Sequence, residues 1–286
     1  MISSYFKTPQ QLYSFGWQGG EPLLMGFKFF KEAVDLQKKY GRPGLRAANG
    51  VQTNGTLITE DLARLFRDYN FLLGVSIDGP EEVHNKYRLD LGEKGTFSKV
   101  MEGVELLRKH RVEFNILVLV SASNVERGRE VYRFLVDNGF YYHQYIPCVE
   151  FDESGKLLPY SINGKQWGNF LSDVFDEWYP VDTHRVSIRH IDSVMEHLIR
   201  GTYNVCTMGG ICNQYYVVEH NGDVYPCDFF VEPDKKLGNI MTGDWAHFER
   251  NSVYRKFGSQ KTNWNLKCTQ CHYLELCSGD CLKNRF

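Results

Sequence analysis

The sequence predicts an α/β protein built on a parallel sheet, followed by a small cysteine-rich module. Two patterns carry that expectation. Strand-like apolar runs alternate with amphipathic helical runs through the first half of the chain, the order that βα units and a parallel sheet produce. Seven of the eight cysteines then fall between Cys206 and Cys281. The length of 286 residues agrees, since an α/β barrel takes about 200–250 residues and leaves room for a small extra module.

The elements follow in order. Leu12–Trp17 is a short aromatic strand ending at Gln18-Gly19-Gly20-Glu21-Pro22, and Phe27–Tyr40 is the helix after it. Gly50–Thr53 makes a second strand. Thr59 is placed to cap a helix over Glu60–Tyr69, with Leu62, Leu65 and Phe66 on one face. Phe71–Ile77 is a third strand, running into Asp78-Gly79-Pro80. A helix over Ser98–His110 places Val100, Val104 and Leu107 at core spacing, and Glu113–Val120 is apolar enough for a strand covered on both faces. A helix over Arg127–Asn138 and a strand over Tyr141–Val149 complete five βα-type repeats. After a polar loop, Gln166–Trp178 has a wide apolar helix face, and Val186–Arg200 gives another strand-then-helix signal. Tyr215–Glu219 and Asp223–Pro226 form a hairpin around Asn221-Gly222.

Composition removes several function classes. A formal net charge of −2 gives no electrostatic case for nucleic-acid or anionic-membrane binding. No apolar run approaches the ~20 residues that a bilayer span needs. The first ten residues carry neither a basic start nor an apolar signal core, so a cytoplasmic location is expected.

The tightest cysteine group reads Cys268-x2-Cys271-x5-Cys277-x3-Cys281, and an upstream trio reads Cys206-x5-Cys212-x14-Cys227. In a reducing compartment such spacing points to metal before disulfides. Thiolates so close together repel one another unless a cation shares their charge, and zinc or iron suits soft sulfur ligands. Zinc is the commonest use of a Cys-x2-Cys pair. The terminal Cys-x3-Cys is closer to ferredoxin runs, whose last cysteine crosses to another cluster, and the upstream trio offers partners for such a crossover.

Taken with these cysteines, Trp17-Gln-Gly-Gly-Glu-Pro22 and Ser76-Ile-Asp-Gly-Pro80 resemble a radical S-adenosylmethionine (SAM) enzyme with a C-terminal SPASM module. Cys206-x15-Gly222-x4-Cys227 followed by the Cys268–Cys281 run matches the SPASM spacing. Cys212 and the strings Gly210–Tyr215, Tyr225–Asp228, Leu237–Ile240 and Cys281–Arg285 are most similar to anaerobic sulfatase-maturating enzymes. The resemblance implies a partial (β/α)6 TIM-type barrel over residues 1–150, a linker with helices over 151–200 and a SPASM module over 201–286. It also implies a chemistry, in which cleavage of SAM yields a 5′-deoxyadenosyl radical. A donor such as ferredoxin or flavodoxin would supply the electron for SAM cleavage. The radical removes hydrogen from the Cβ of a cysteine or serine of a target sulfatase, a base takes the thiol or hydroxyl proton, and a second electron leaves through the auxiliary clusters, giving Cα-formylglycine.

By position in those motifs, the backbone of Gly19 and Gly20, the Ser76 hydroxyl, the Arg88 guanidinium and the Val149 backbone are expected to contact SAM. Asp228 aligns with the family's general base. Cys206, Cys212, Cys227 and Cys281 are expected to hold a first auxiliary [4Fe-4S] cluster, and Cys268, Cys271 and Cys277 a second. Cys148 is expected to be a buried core thiol. The sequence departs from the family in carrying no Cys-x3-Cys-x2-Cys loop for the SAM-cleaving cluster, no further cysteine after Cys281, and Leu282 where proline is usual. Loss of both ends from a longer enzyme is the expected reason, which puts in doubt whether the chain as written is active. Two alternatives stand beside the leading one: a SPASM enzyme that crosslinks or epimerises a different ribosomal peptide, and a non-catalytic iron–sulfur module for electron transfer or binding.

Overall fold

The computed structural model describes residues 1–285. The chain divides into two compact units, one over Gln11–Arg189 and one joining Met1–Gln10 to the stretch from His190 onward.

The larger unit holds six parallel strands in sequential order: β1 (Leu12–Trp17), β2 (Arg46–Thr53), β3 (Leu72–Ser76), β4 (Glu113–Val120), β5 (Tyr142–Pro147) and β6 (Ser187–Ile188). Helices Gly26–Tyr40, Glu60–Asp68, Phe97–His110 and Gly128–Asp137 lie between successive strands. The sheet core is what continuous apolar runs predict, with Leu73, Val75, Val118 and Val120 fully buried. Val100, Val104 and Leu107 on one helix and Val131 and Leu135 on the next are fully buried as well.

Local chemistry fixes the boundaries. Thr59 Oγ1 accepts from Leu62 N at 3.3 Å, so the helix starts at Glu60 as its cap dictates. Asn163 and Gln166 form a reciprocal capping box, which starts the helix Gly164–Trp178 between β5 and β6 two residues before the apolar face alone indicates. β2 begins at Arg46 instead of Gly50 because pairing with β1 from Leu12↔Arg46 recruits a stretch with little apolar content. At Gly55 (φ +78°) an added Cβ would stand 3.0 Å from Val75 and 3.1 Å from Val100, so only glycine lets this turn pass between strand and helix.

In the smaller unit, β7 (Val217–Val218), β8 (Asp223–Tyr225) and β9 (Gly238–Asn239) form an antiparallel sheet. The expected hairpin is its first half, while β9 carries too few apolar residues to announce itself. Val224, Leu237, Ile240, Phe248 and Tyr254 form the core, flanked by Tyr216, Val218, Trp245 and Val253. Helices Trp245–Arg250 and Ser252–Ser259 supply its second layer. Among the described residues no helix is long and apolar enough to cross a membrane.

Candidate functional site: a glycine loop, a thiol cluster and a carboxylate

Because β1 to β6 are parallel, the segments that leave their carboxyl ends share one side of the sheet, where open α/β sheets bind ligands. Gly19 and Gly20 follow β1, Ser76 ends β3, Arg88 stands in the loop after β3, and Val149 follows β5. Gly19 and Gly20 take φ of +104° and +54°, with open space where a Cβ would be. Their backbone is therefore accessible in a conformation that side chains resist. The loop is pinned by Glu21, a residue the motif contained but to which no role was attached. Its Oε1 accepts from Leu23 N at 3.0 Å and Thr53 Oγ1 at 2.7 Å, and its Oε2 from Asn54 N at 2.7 Å.

Arg88 is already half committed. Its Nε and Nη2 donate to Asp78 at 2.5 and 3.0 Å, and Asp78 Oδ1 also accepts from Leu119 N at 2.9 Å. The Asp78 side chain is 8% exposed and that of Arg88 24%. A guanidinium carries five N–H groups in a rigid fork, of which the Asp78 pair engages only the Nε and Nη2 side. Cys148 is buried as expected, its N–H donating to Val120 O at 2.8 Å.

In the smaller unit no disulfide links the cysteines; Cys212, Cys227, Cys268 and Cys281 are half-buried, while Cys206, Cys271 and Cys277 are exposed. Desolvation pushes the thiols of Cys206, Cys212 and Cys281 above their ordinary value, and that of Cys227 up to about 12. Thiols held protonated in this way need a bound cation to ionise. Cys212 acts electrostatically on Cys206, Cys281 on Cys212, and Cys206 on Cys281.

Among the described residues no three His, Cys, Asp or Glu side chains stand close enough to share one metal ion. The seven cysteines of this unit are soft donors of the kind that hold zinc or iron–sulfur clusters. The soft donor set and its raised thiols therefore fit [4Fe-4S] ligation.

Asp228, next to Cys227, accepts from Tyr215 Oη at 2.7 Å. The same hydroxyl lies 3.3 Å from Cys227 Sγ, and the thiol lies 3.5 Å from Asp228 Oδ1. Desolvation first, then these two neighbours, push the Tyr215 phenol well above its ordinary value. Its proton stays on oxygen to hold the carboxylate. In the sequence Tyr215 stands at the end of the Gly210–Tyr215 string and at the start of the expected hairpin, with nothing there to mark it as a partner of Asp228. Of the other aromatics there, Tyr216 and Tyr225 pack into the unit, while Phe229 remains 50% exposed.

Comparison with known proteins agrees with both units. The Radical SAM superfamily model matches residues 5–135, and the SPASM iron-sulfur cluster-binding domain model matches residues 206–272. A cysteine-type anaerobic sulfatase-maturating enzyme of Clostridium novyi (strain NT) is 35% identical over 288 residues, covering 100% of this chain and 77% of the relative. A serine-type enzyme of Bacteroides thetaiotaomicron is 40% identical over 304 residues, covering 100% of this chain and 73% of the relative. The structure of native anSMEcpe with bound AdoMet and Kp18Cys peptide superposes with a TM-score of 0.92 at 35% identity, covering 99% of this chain and 79% of that one. Radical SAM enzymes with SPASM domains use SAM and [4Fe-4S] clusters. On the matched motifs, the identity and the fold, this chain belongs to the family of anaerobic sulfatase-maturating enzymes, which are radical SAM oxidoreductases.

Proposed function

We propose that this protein oxidises a cysteine or serine of a sulfatase polypeptide to Cα-formylglycine. The observation that carries the reading is the Tyr215–Asp228–Cys227 arrangement, a carboxylate held by a phenol beside a thiol of the SPASM-matched segment, in a chain of this family. Bound SAM and the clusters would supply hydrogen abstraction from the substrate Cβ and a route for the departing electron.

The protein's own residues bind and orient. Gly19 and Gly20 offer bare backbone to the SAM amino group, and the Arg88 Nη1 side offers paired donors to its carboxylate. Ser76 supplies a hydroxyl, and the Val149 backbone meets the adenine. Asp228 takes the thiol or hydroxyl proton as the substrate loses its electron; a base must come within ~3 Å of that proton. Cys206, Cys212, Cys227 and Cys281 hold the first auxiliary cluster, and Cys268, Cys271 and Cys277 contribute to the second. A small electron-transfer protein such as ferredoxin or flavodoxin is the donor, and the oxygen-sensitive thiol set supports a cytoplasmic setting.

The test supplies the chain within a polypeptide that also provides a Cys-x3-Cys-x2-Cys loop, with SAM, reductant and Cys- or Ser-containing sulfatase peptides, without oxygen. Formation of deoxyadenosine together with an aldehyde-bearing peptide is expected. A crosslinked or epimerised peptide, or SAM cleavage with no peptide product, would overturn it.

A further inference from the structure

Lys261 is the most unusual charge in the molecule. Its side chain belongs to the fully buried set, although lysine is among the residues least often buried. Among the described residues no carboxylate side chain forms an ion pair with it. Its Nζ instead donates to Thr207 O at 2.7 Å and to Asp280 O. Those carbonyls belong to the residues adjoining Cys206 and Cys281, so one ammonium joins two ligand loops. Ser278 Oγ reinforces the junction by donating to Met208 O at 2.9 Å.

The Cys281 loop requires such support. Ser278, Gly279 and Asp280 take φ of +47°, +73° and +59°, three successive left-handed residues of which only one is glycine. Arg285 gathers the same strained segment, donating through Nε to Gly279 O at 2.6 Å and through Nη2 to Ser278 O at 2.7 Å and Asp280 O at 3.1 Å. Its Nη1 donates to Lys261 O at 2.8 Å, which ties the Lys261 backbone to the loop as well.

A buried ammonium without a carboxylate partner is costly unless another anion answers it. The groups around Lys261 that can supply negative charge are the Asp280 carboxylate and the thiols of Cys206, Cys212 and Cys281, while the Arg285 guanidinium adds a second cation beside it.

We propose that Lys261 is a positioning residue for the first auxiliary cluster, clamping the Cys206 and Cys281 loops and setting a fixed positive charge beside the cluster that raises its reduction potential. Reduction adds one negative charge to the cluster. A nearby cation in a water-poor setting stabilises that charge, and cluster potentials follow net charge, hydrogen bonding and exposure. The consequence for the reaction is that this cluster accepts an electron more readily than its thiolates alone would allow. The inference rests on the ligand assignment given under Proposed function.

The test uses the anaerobically reconstituted chain, with iron and sulfide assays and redox titration followed by electron paramagnetic resonance. C206S identifies the relevant signal as the one it abolishes. In K261M and K261Q that signal should move to more negative potential, the reduction equilibrium falling about tenfold, or ~59 mV for one electron. K261R should keep the wild-type midpoint. If K261M instead loses the iron of that cluster and K261R restores it, the clamp is supported directly. Unchanged iron and an unchanged midpoint in both K261M and K261Q would overturn the proposal while leaving the ligand assignment intact. A C206S protein that keeps every signal would instead overturn that assignment, independently of Lys261.

Discussion

Replacing Asp78 by asparagine isolates the element that sets the Arg88 guanidinium. The native carboxylate accepts three hydrogen bonds, two from Arg88 at 2.5 and 3.0 Å and one from Leu119 N at 2.9 Å. An amide has one oxygen for these donors and turns an NH2 group toward one of them. Breaking a buried pair by removing one charge costs about 3–5 kcal/mol. Arg88 keeps 24% exposure, so water repairs part of the loss and about 2–3 kcal/mol is expected. For a unit of this size each kcal/mol moves the midpoint by roughly 2–4 °C, giving about 4–12 °C for Asp78→Asn. The assay is denaturant and thermal unfolding of Asp78→Asn, Arg88→Gln and the double variant, read as a cycle. A coupling above about 1 kcal/mol is expected; additivity within about 0.5 kcal/mol would refute the idea that the two act as a unit. Under the proposed role of Arg88, Asp78→Asn also weakens SAM binding about tenfold, because a freed guanidinium must be ordered by the ligand itself.

Within a polypeptide that also provides the Cys-x3-Cys-x2-Cys loop, Asp228→Asn should abolish peptide oxidation while SAM cleavage persists, measured as deoxyadenosine formed without aldehyde. Tyr215→Phe removes the 2.7 Å bond to Asp228 and should lower turnover about tenfold with SAM affinity unchanged, the cost of one charge-assisted hydrogen bond being about 1.5–3 kcal/mol. Gly20→Val places a β-branched residue at φ +54° and should weaken SAM binding at least tenfold, checked by titration calorimetry, because the loop must distort. Burial holds His84 and His143 at about 4, below their ordinary 6.5. The unfolded chain therefore takes up their protons first as the pH falls. Stability is full above about 6.5 and is lost toward 4, by about 3 kcal/mol for each histidine. His84→Gln should flatten part of that slope in melting experiments between those pH values.

Much of the larger unit was legible because its signals are local. Period, caps and turn residues place β1, β4 and the helix after Thr59 within a residue or two. β2 was read short because its first half is Arg-Ala-Ala-Asn, whose strand character comes only from pairing with β1. The cysteine spacing disclosed a metal-binding module, yet helices Trp245–Arg250 and Ser252–Ser259 went unread, since their apolar positions point into a core assembled from distant segments. At the candidate site, motif positions named Arg88 and Asp228 but not the partners that hold them, Asp78 and Tyr215. Lys261 was invisible for the same reason: a lysine in a polar stretch looks solvated until its neighbours are known.

The most direct measurement is iron and acid-labile sulfide per chain after anaerobic purification, read alongside the visible spectrum. Two four-iron clusters give about eight of each and a brown, sulfide-releasing protein. A colourless protein with zinc and no labile sulfide would contradict the account at its base.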